Sequence, residues 1–171
     1  DNGSTDNCTT VTLAASTTGF TCADLGPNTV TLTVTDGSGN TSTCTSTVTV
    51  SDTVSPTASC QDITVFLDGT GNVSIVAADI DNGSTDNCTA VAFAASASGF
   101  TCADLGPNSV TLTVTDGSGN TSTCTSTVTV SDTVSPTASC QDITVFLDGA
   151  GTVSIVAADI DNGSTDNCTT V

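Results

Sequence analysis

The stretch that decides the fold is Asp-Asn-Gly-Ser-Thr-Asp-Asn-Cys-Thr, which occurs at residues 1–9, 81–89 and 161–169. The spacing is 80 residues each time. Laying residues 1–91 over 81–171 leaves nine differences, among them Leu13/Phe93, Thr12/Ala92 and Thr70/Ala150. The chain is about two turns of one 80-residue unit. Near-identical units in tandem serve length, valency or assembly. An active site needs neither multiplication nor near-identity.

Composition narrows the classes further. There are 18 Asp and no Glu, Lys, Arg or His, giving a formal charge of −18. Without a cationic side chain, every Asp must face water, accept hydrogen bonds or bind a metal ion. Nothing in the chain can neutralise phosphate, so nucleic acid and anionic membrane surfaces are excluded as partners. No apolar run is long enough for direct membrane insertion. With no His, Lys, Arg, Glu or Tyr, no nucleophilic triad can be built, and no activity as an enzyme is expected.

Val, Ile, Leu, Phe and Ala recur in short alternating runs with Thr between them, which is β composition. The best place to cut the period is Ser-Asp-Thr-Val-Ser-Pro at 51–56 and 131–136, where polar residues and a Pro separate two β runs. The expected domains are therefore 1–54, 55–134 and 135–171, the middle one complete. Within it, Ser59–Leu67 reads as a strand with Ile63, Val65 and Leu67 on one face. Val73–Ala78 and Cys88–Ser96 read as strands and Ala97–Asn108 as irregular. Val110–Thr115 is a strand with Val110, Leu112 and Val114 inward, Asp116–Asn120 a hairpin turn, and Thr121–Val130 the closing strand. The fold class is all-β, in tandem immunoglobulin-like β-sandwich repeats of about 80 residues.

Five Phe give each unit a thin core, which calls for staples. Nine cysteines, four per period, supply a disulfide framework suited to an oxidising place outside the cytosol. Zinc fits poorly, since no Cys-x-x-Cys and no His exist. The first and last strands of a unit run in parallel, so Cys60 is expected to pair with Cys124, and Cys88 with Cys102. By the period, Cys8 pairs with Cys22, and Cys44, Cys140 and Cys168 have partners outside the chain. A rival scheme, Cys44–Cys60 and Cys124–Cys140, staples neighbours across the linker.

Calcium is the candidate ligand. Asp79, Asp81 and Asp86 lie in one polar loop with Asn82 and Asn87, and hard oxygen donors suit Ca²⁺. Asp52 and Asp116 should approach that loop. At the next junction Asp68, Asp104, Asp132, Asp159, Asp161 and Asp166 should gather. The bland alternative is that these residues only make Asx turns. Asn-x-Ser/Thr triplets at Asn7, Asn40, Asn72, Asn82, Asn87 and Asn120 arise easily by chance in such a chain. Outward Thr rows at 111, 113, 115 and 125, 127, 129 suit a solvated β face.

The run from Val110 through Asp116-Gly-Ser-Gly-Asn120 to Cys124, with Thr127-Val-Thr-Val-Ser-Asp132, resembles the second half of a hyalin repeat (HYR) module. Ser59-Cys-Gln-Asp-Ile-Thr-Val65 after the linker Pro resembles its start, with Gln61 where the family often has Pro. Tandem copies carrying Asp-Asn-Gly-Ser-Thr-Asp-Asn-Cys and Cys-Ala-Asp-Leu-Gly-Pro-Asn are similar to repeats of giant surface adhesins of Bacteroidota, gliding adhesins among them. The resemblance implies an immunoglobulin-like sandwich, type IX secretion and display at the extracellular cell surface. Asp-Thr-Val at 52–54 and 132–134 resembles the O-glycosylation motif of that phylum, which makes Thr53 and Thr133 candidate acceptors. The expected function is a structural stalk segment of a long adhesin for attachment or gliding motility. The expected partners are neighbouring repeats of the same chain, with surface glycans or accessory surface proteins as further candidates. The alternatives are a glycan- or protein-binding module and a self-assembling extracellular fibre.

Overall fold

The structure, a computed structural model, describes residues 1–8 and 10–168. The final Thr of the first and third motif copies lies outside them. The chain divides into two compact units. The first comprises Asp1–Thr57, Thr85–Ala92 and Thr115–Thr121; the second comprises Ala58–Ser84, Phe93–Val114 and Ser122–Val171. Residues 85–92 and 115–121 thus fold with the first 57 residues, although residues of the second unit separate the three segments along the chain.

In the first unit, β1 (Thr12–Ala15), β2 (Gly26–Thr35) and β3 (Thr41–Val50) form an antiparallel sheet in the order β1-β2-β3. Thr33 faces Thr43 and Leu32 faces Cys44 across the β2–β3 ladder. Val30 is its buried apolar residue.

The second unit holds the larger core. Its main sheet orders β4 (Ile63–Phe66), β9 (Thr121–Ser131), β8 (Gly106–Thr115) and β6 (Ala92–Ala95), and a second sheet pairs β5 (Asn72–Ser74) with β7 (Gly99–Thr101). Sheet apposed to sheet makes an all-β sandwich, as the alternation implied. Along β8 the buried residues are Val110, Leu112 and Val114; along β9 they are Ser126, Val128 and Val130, the period-two pattern of a half-buried strand. Leu67, Ile75, Ile80 and Phe100 complete the core. β4 runs parallel to β9, with Ile63 opposite Val128 and Val65 opposite Val130. Buried Ser126 donates its hydroxyl to the Gln61 carbonyl at 2.6 Å, and the Asp62 carboxylate accepts from the Thr127 N–H at 2.6 Å, which sets the register of that pair.

Three expected segments come out differently. Val73–Ala78 is a strand only at its start; Ala77–Ile80 closes into a 3-10 turn because Asp79 accepts the Val76 N–H at 2.8 Å. Cys88–Ser96 is a strand only at β6. The segment 97–108 is ordered by two devices: β7, whose Phe100 is 4% exposed, and a 3-10 turn at Cys102–Asp104. That turn is a capping box: Asp104 accepts the Thr101 N–H at 2.8 Å, and Thr101 Oγ1 accepts the Ala103 N–H at 3.3 Å. The same box recurs at Thr21 and Asp24.

The cystine framework corrects the expected one. Cys60 bonds Cys124, Cα atoms 5.8 Å apart. Cys88 does not bond Cys102, and Cys8 does not bond Cys22. Cys22 bonds Cys88 across 66 residues, and Cys102 bonds Cys168 across 66 residues. The reason is local geometry. The capped turn carrying Cys22 and the Asp86–Cys88 turn belong to the first unit, and their Cα atoms stand 5.0 Å apart. Cys102 belongs to the second unit, with Cys168 at 5.1 Å. Cys168 therefore has its partner inside the chain. Cys8, Cys44 and Cys140 are unbonded and exposed.

Candidate metal centre

The centre lies in the first unit and is assembled from three turns. The Asp116–Asn120 turn is held by its own first residue. Asp116 Oδ1 accepts from the N–H groups of Ser118 (2.9 Å) and Asn120 (2.8 Å), and Oδ2 accepts from the Asn120 side-chain amide at 2.8 Å. Gly119 closes the turn at φ +91°, a conformation that a side chain disfavours. A Cβ on Gly117 would stand 3.1 Å from the Thr89 side chain, whose Oγ1 accepts the Gly117 N–H at 2.8 Å. The absent side chain lets this turn close onto the segment following Asp86.

Asp86 makes the second turn. Its Oδ2 accepts from the N–H groups of Cys88 (2.9 Å) and Thr89 (3.1 Å). Asp52 makes the third: its Oδ1 accepts the Val54 N–H at 3.0 Å, and its carbonyl accepts the Asn120 amide at 3.2 Å.

Carboxylate oxygens of Asp52, Asp86 and Asp116 all lie within 4.8 Å of one another. Asp116 is 6% exposed and the other two are half-buried. Asp52 Oδ2 and Asp86 Oδ1 are buried with no hydrogen-bond donor, although each residue's other oxygen is satisfied by backbone. A buried acceptor without a donor costs roughly 1–3 kcal/mol, more when charged. No Lys, Arg or His exists to supply that donor. Hard anionic oxygens in a group of three, two of them unpartnered, fit a divalent cation of the calcium class by donor chemistry and charge. Burial pushes the Asp116 carboxyl upward, but hydrogen bonds from the Asn120 side chain and from the backbone of Asn120, Ser118 and Gly119 outweigh it and hold the group below 3.8.

The other candidate acids serve turns of their own. Asp79 and Asp104 cap 3-10 turns, and Asp159 accepts the Val156 N–H at 2.9 Å. Asp81 accepts from Gly83 and Ser84, and Asp161 from Gly163 and Ser164. Asp68 is held below 3.8 by the Thr70 hydroxyl and by the backbone of Asn72 and Thr70. At the later junction Asn167 donates to the Asp68 carbonyl at 3.0 Å and to Asp132 Oδ1 at 3.2 Å, while Asp166 accepts the Cys168 N–H at 3.2 Å. Asp132 and Asp166 occupy the period positions of Asp52 and Asp86. Among the described residues, the three-acid group forms at Asp52, Asp86 and Asp116. Thr53 and Thr133 are exposed, each inside an Asp-initiated turn. The amide of Asn120 is taken up inside its turn, so that Asn-x-Ser/Thr triplet does not present a free side chain.

Sequence reasoning missed the two capped turns that carry Cys22 and Cys102. The Thr-x-x-Asp spacing at 21–24 and 101–104 was the signal that could have found them.

Among the described residues, no helix is long and apolar enough to cross a membrane. No family model matches the chain, and no curated protein matches it. Among solved structures, the chain is similar to "Protocadherin gammaB7 EC3-6 cis-dimer structure", with a TM-score of 0.39 and 14% identity. The match covers 82% of this chain and 46% of that one, so the chain spans about half the length of that structure.

Proposed function

We propose that the chain is a segment of a structural stalk in a long, repetitive extracellular adhesin, which holds a distal binding region away from its anchorage. The observation that carries the reading is the pair of bonds Cys22–Cys88 and Cys102–Cys168, which ties each 80-residue repeat to the next at the same two positions. A module acting alone has no use for a staple to its neighbour. Three disulfides among the described residues suit an oxidising compartment outside the cytosol. The resemblance to HYR repeats of Bacteroidota surface adhesins supports cell-surface display, type IX export and a role in attachment or gliding. Composition supports a role without catalysis.

Calcium belongs to the same reading. Asp52, Asp86 and Asp116 would hold the ion, with Asp52 Oδ2 and Asp86 Oδ1 among its ligands. Bound there, it supplies positive charge where three carboxylates otherwise repel. Two such charges cost about 3–4 kcal/mol at an effective dielectric of about 20 before salt screening. Asp52 sits in the linker, whereas Asp86 and Asp116 sit in the repeat that follows it, so the ion would restrict the linker. Electron microscopy of the native surface particle tests the stalk: single beaded strands are expected, and isolated globular particles would overturn it.

A further inference from the structure

The cystines do more than staple units, because their loops overlap. Cys22–Cys88 encloses Cys60, Cys60–Cys124 encloses Cys88 and Cys102, and Cys102–Cys168 encloses Cys124 and Cys140. The shortest covalent route from Cys22 to Cys168 therefore does not follow the polypeptide. It crosses one disulfide to Cys88, follows 14 peptide steps to Cys102, and crosses a second disulfide to Cys168. The strands that build the main sheet core, β8 and β9, lie off this route. So do β4 and the linker, whereas β6 and β7, with buried Phe100, lie on it.

We propose that tension along the chain is carried by this covalent track, which consists of the repeat-linking disulfides and the Cys88–Cys102 segment, and that it bypasses β4, β8 and β9. The proposal deepens the stalk reading, which supplies the reason for tension; the connectivity stands apart from it. A stretched chain spans at most about 3.5 Å per residue. One 80-residue period on the polypeptide route would reach roughly 280 Å at full stretch, whereas 14 steps reach roughly 50 Å. Adding one bridge of 5.1 Å between Cα atoms leaves a stretched period about five-fold shorter than an uncrosslinked one. Unfolding a unit under load then releases little length, and the array resists extension even when its core gives way.

The test is single-molecule stretching of the full chain held by its two termini, in which the free ends add equally to every variant. In the oxidised wild type the route from Cys22 to Cys168 should be short, and reductant should lengthen it about nine-fold at full stretch, to 146 peptide steps. Replacing both Cys60 and Cys124 by Ser should leave the fully stretched oxidised length unchanged, because that bond is off the route. Replacing both Cys22 and Cys88 by Ser should lengthen it by roughly 160 Å. The route then takes 38 steps from Cys22 to Cys60, crosses to Cys124, and returns 22 steps to Cys102. The opposite pattern, with length set by Cys60–Cys124 and indifferent to Cys22–Cys88, would overturn the track. Full stretch is read after unfolding, so loss of native packing in a variant does not hide the result. Non-reducing peptide mapping of the wild type guards against reshuffled pairs, and failure to recover Cys22–Cys88 there would also overturn it. Neither outcome bears on whether the native particle is a stalk, which imaging decides separately.

Discussion

Asp86 and Cys88 share one turn: Asp86 Oδ2 accepts the Cys88 N–H at 2.9 Å, Oδ1 is buried without a donor, and the Asp86 carboxylate belongs to the acidic group with Asp52 and Asp116. The residue that orients the repeat-linking disulfide is therefore also a member of the candidate ion site. The repeat-linking disulfide and the candidate ion site thus meet within three residues.

The overlap of the cystine loops predicts tolerance to nicking. A single cut anywhere between Cys22 and Cys168 leaves the two pieces joined by at least one disulfide. Limited proteolysis with an enzyme other than trypsin, which has no Lys or Arg to cut, should give one band without reductant and two with it. Separation of fragments before reduction would contradict the observed pairing.

Calcium binding should depend on the three grouped acids and not on the others. Titration calorimetry is expected to show Asp52→Asn and Asp86→Asn each weakening calcium binding by about ten-fold or more, roughly 1.4 kcal/mol. Asp79→Asn, whose carboxylate accepts the Val76 N–H of its own 3-10 turn, should leave affinity unchanged. Equal effects from all three would disperse the site.

The Asp116 carboxyl should titrate below 3.8 in calcium-free protein, since its turn donates to the ionised form. A depressed folded value stabilises the turn above the unfolded value near 3.8 and loses that contribution as pH falls through the folded one. Carbon-detected NMR should show this, with amide exchange at Ser118 and Asn120 relatively faster below that window. A value above 3.8 would mean that burial outweighs the hydrogen bonds.

Leu112→Ala should destabilise the second unit by about 2–5 kcal/mol, as expected for a fully buried Leu. Leu32→Ala, at the same position of the repeat but half-buried, should cost less in the first unit. Chemical denaturation followed separately in each unit distinguishes them; equal losses would contradict the difference in burial.

Thr53 and Thr133 are expected to carry a sugar in protein from the native host, consistent with their exposure. Linker peptides at unmodified mass would remove the glycan from the account.

Much of this was legible in the sequence, and the limits have physical causes. Alternation at Val110, Leu112 and Val114 identified β8, because a half-buried strand repeats every two residues. The parallel course of β4 and β9 placed Cys60 near Cys124. The partner of Cys88 was legible only as a type. Cys22 and Cys102 are the same residue of the repeat, so the sequence names the kind of cysteine without saying which copy. Geometry between turns decides, and it selects the copy 66 residues upstream. The identical Ile-Thr-Val-Phe at 63–66 and 143–146 makes the same point. The first is β4, paired with β9; the second is no strand, and Phe146 is 83% exposed. A strand needs a partner as well as a pattern. Among the eleven candidate acids, Asp52 and Asp116 were expected to approach the polar loop, and they do group with Asp86 of that loop, whereas Asp79 and Asp81 serve turns of their own.

The central claim, that these repeats are joined into a stalk, is tested most directly by solution scattering of the 171-residue chain and of longer chains with one and two added 80-residue periods, in calcium at constant ionic strength. The account predicts that the largest dimension grows by an equal increment with each period. Growth that flattens toward the cube root of chain length, as repeats collapse upon one another, would contradict it.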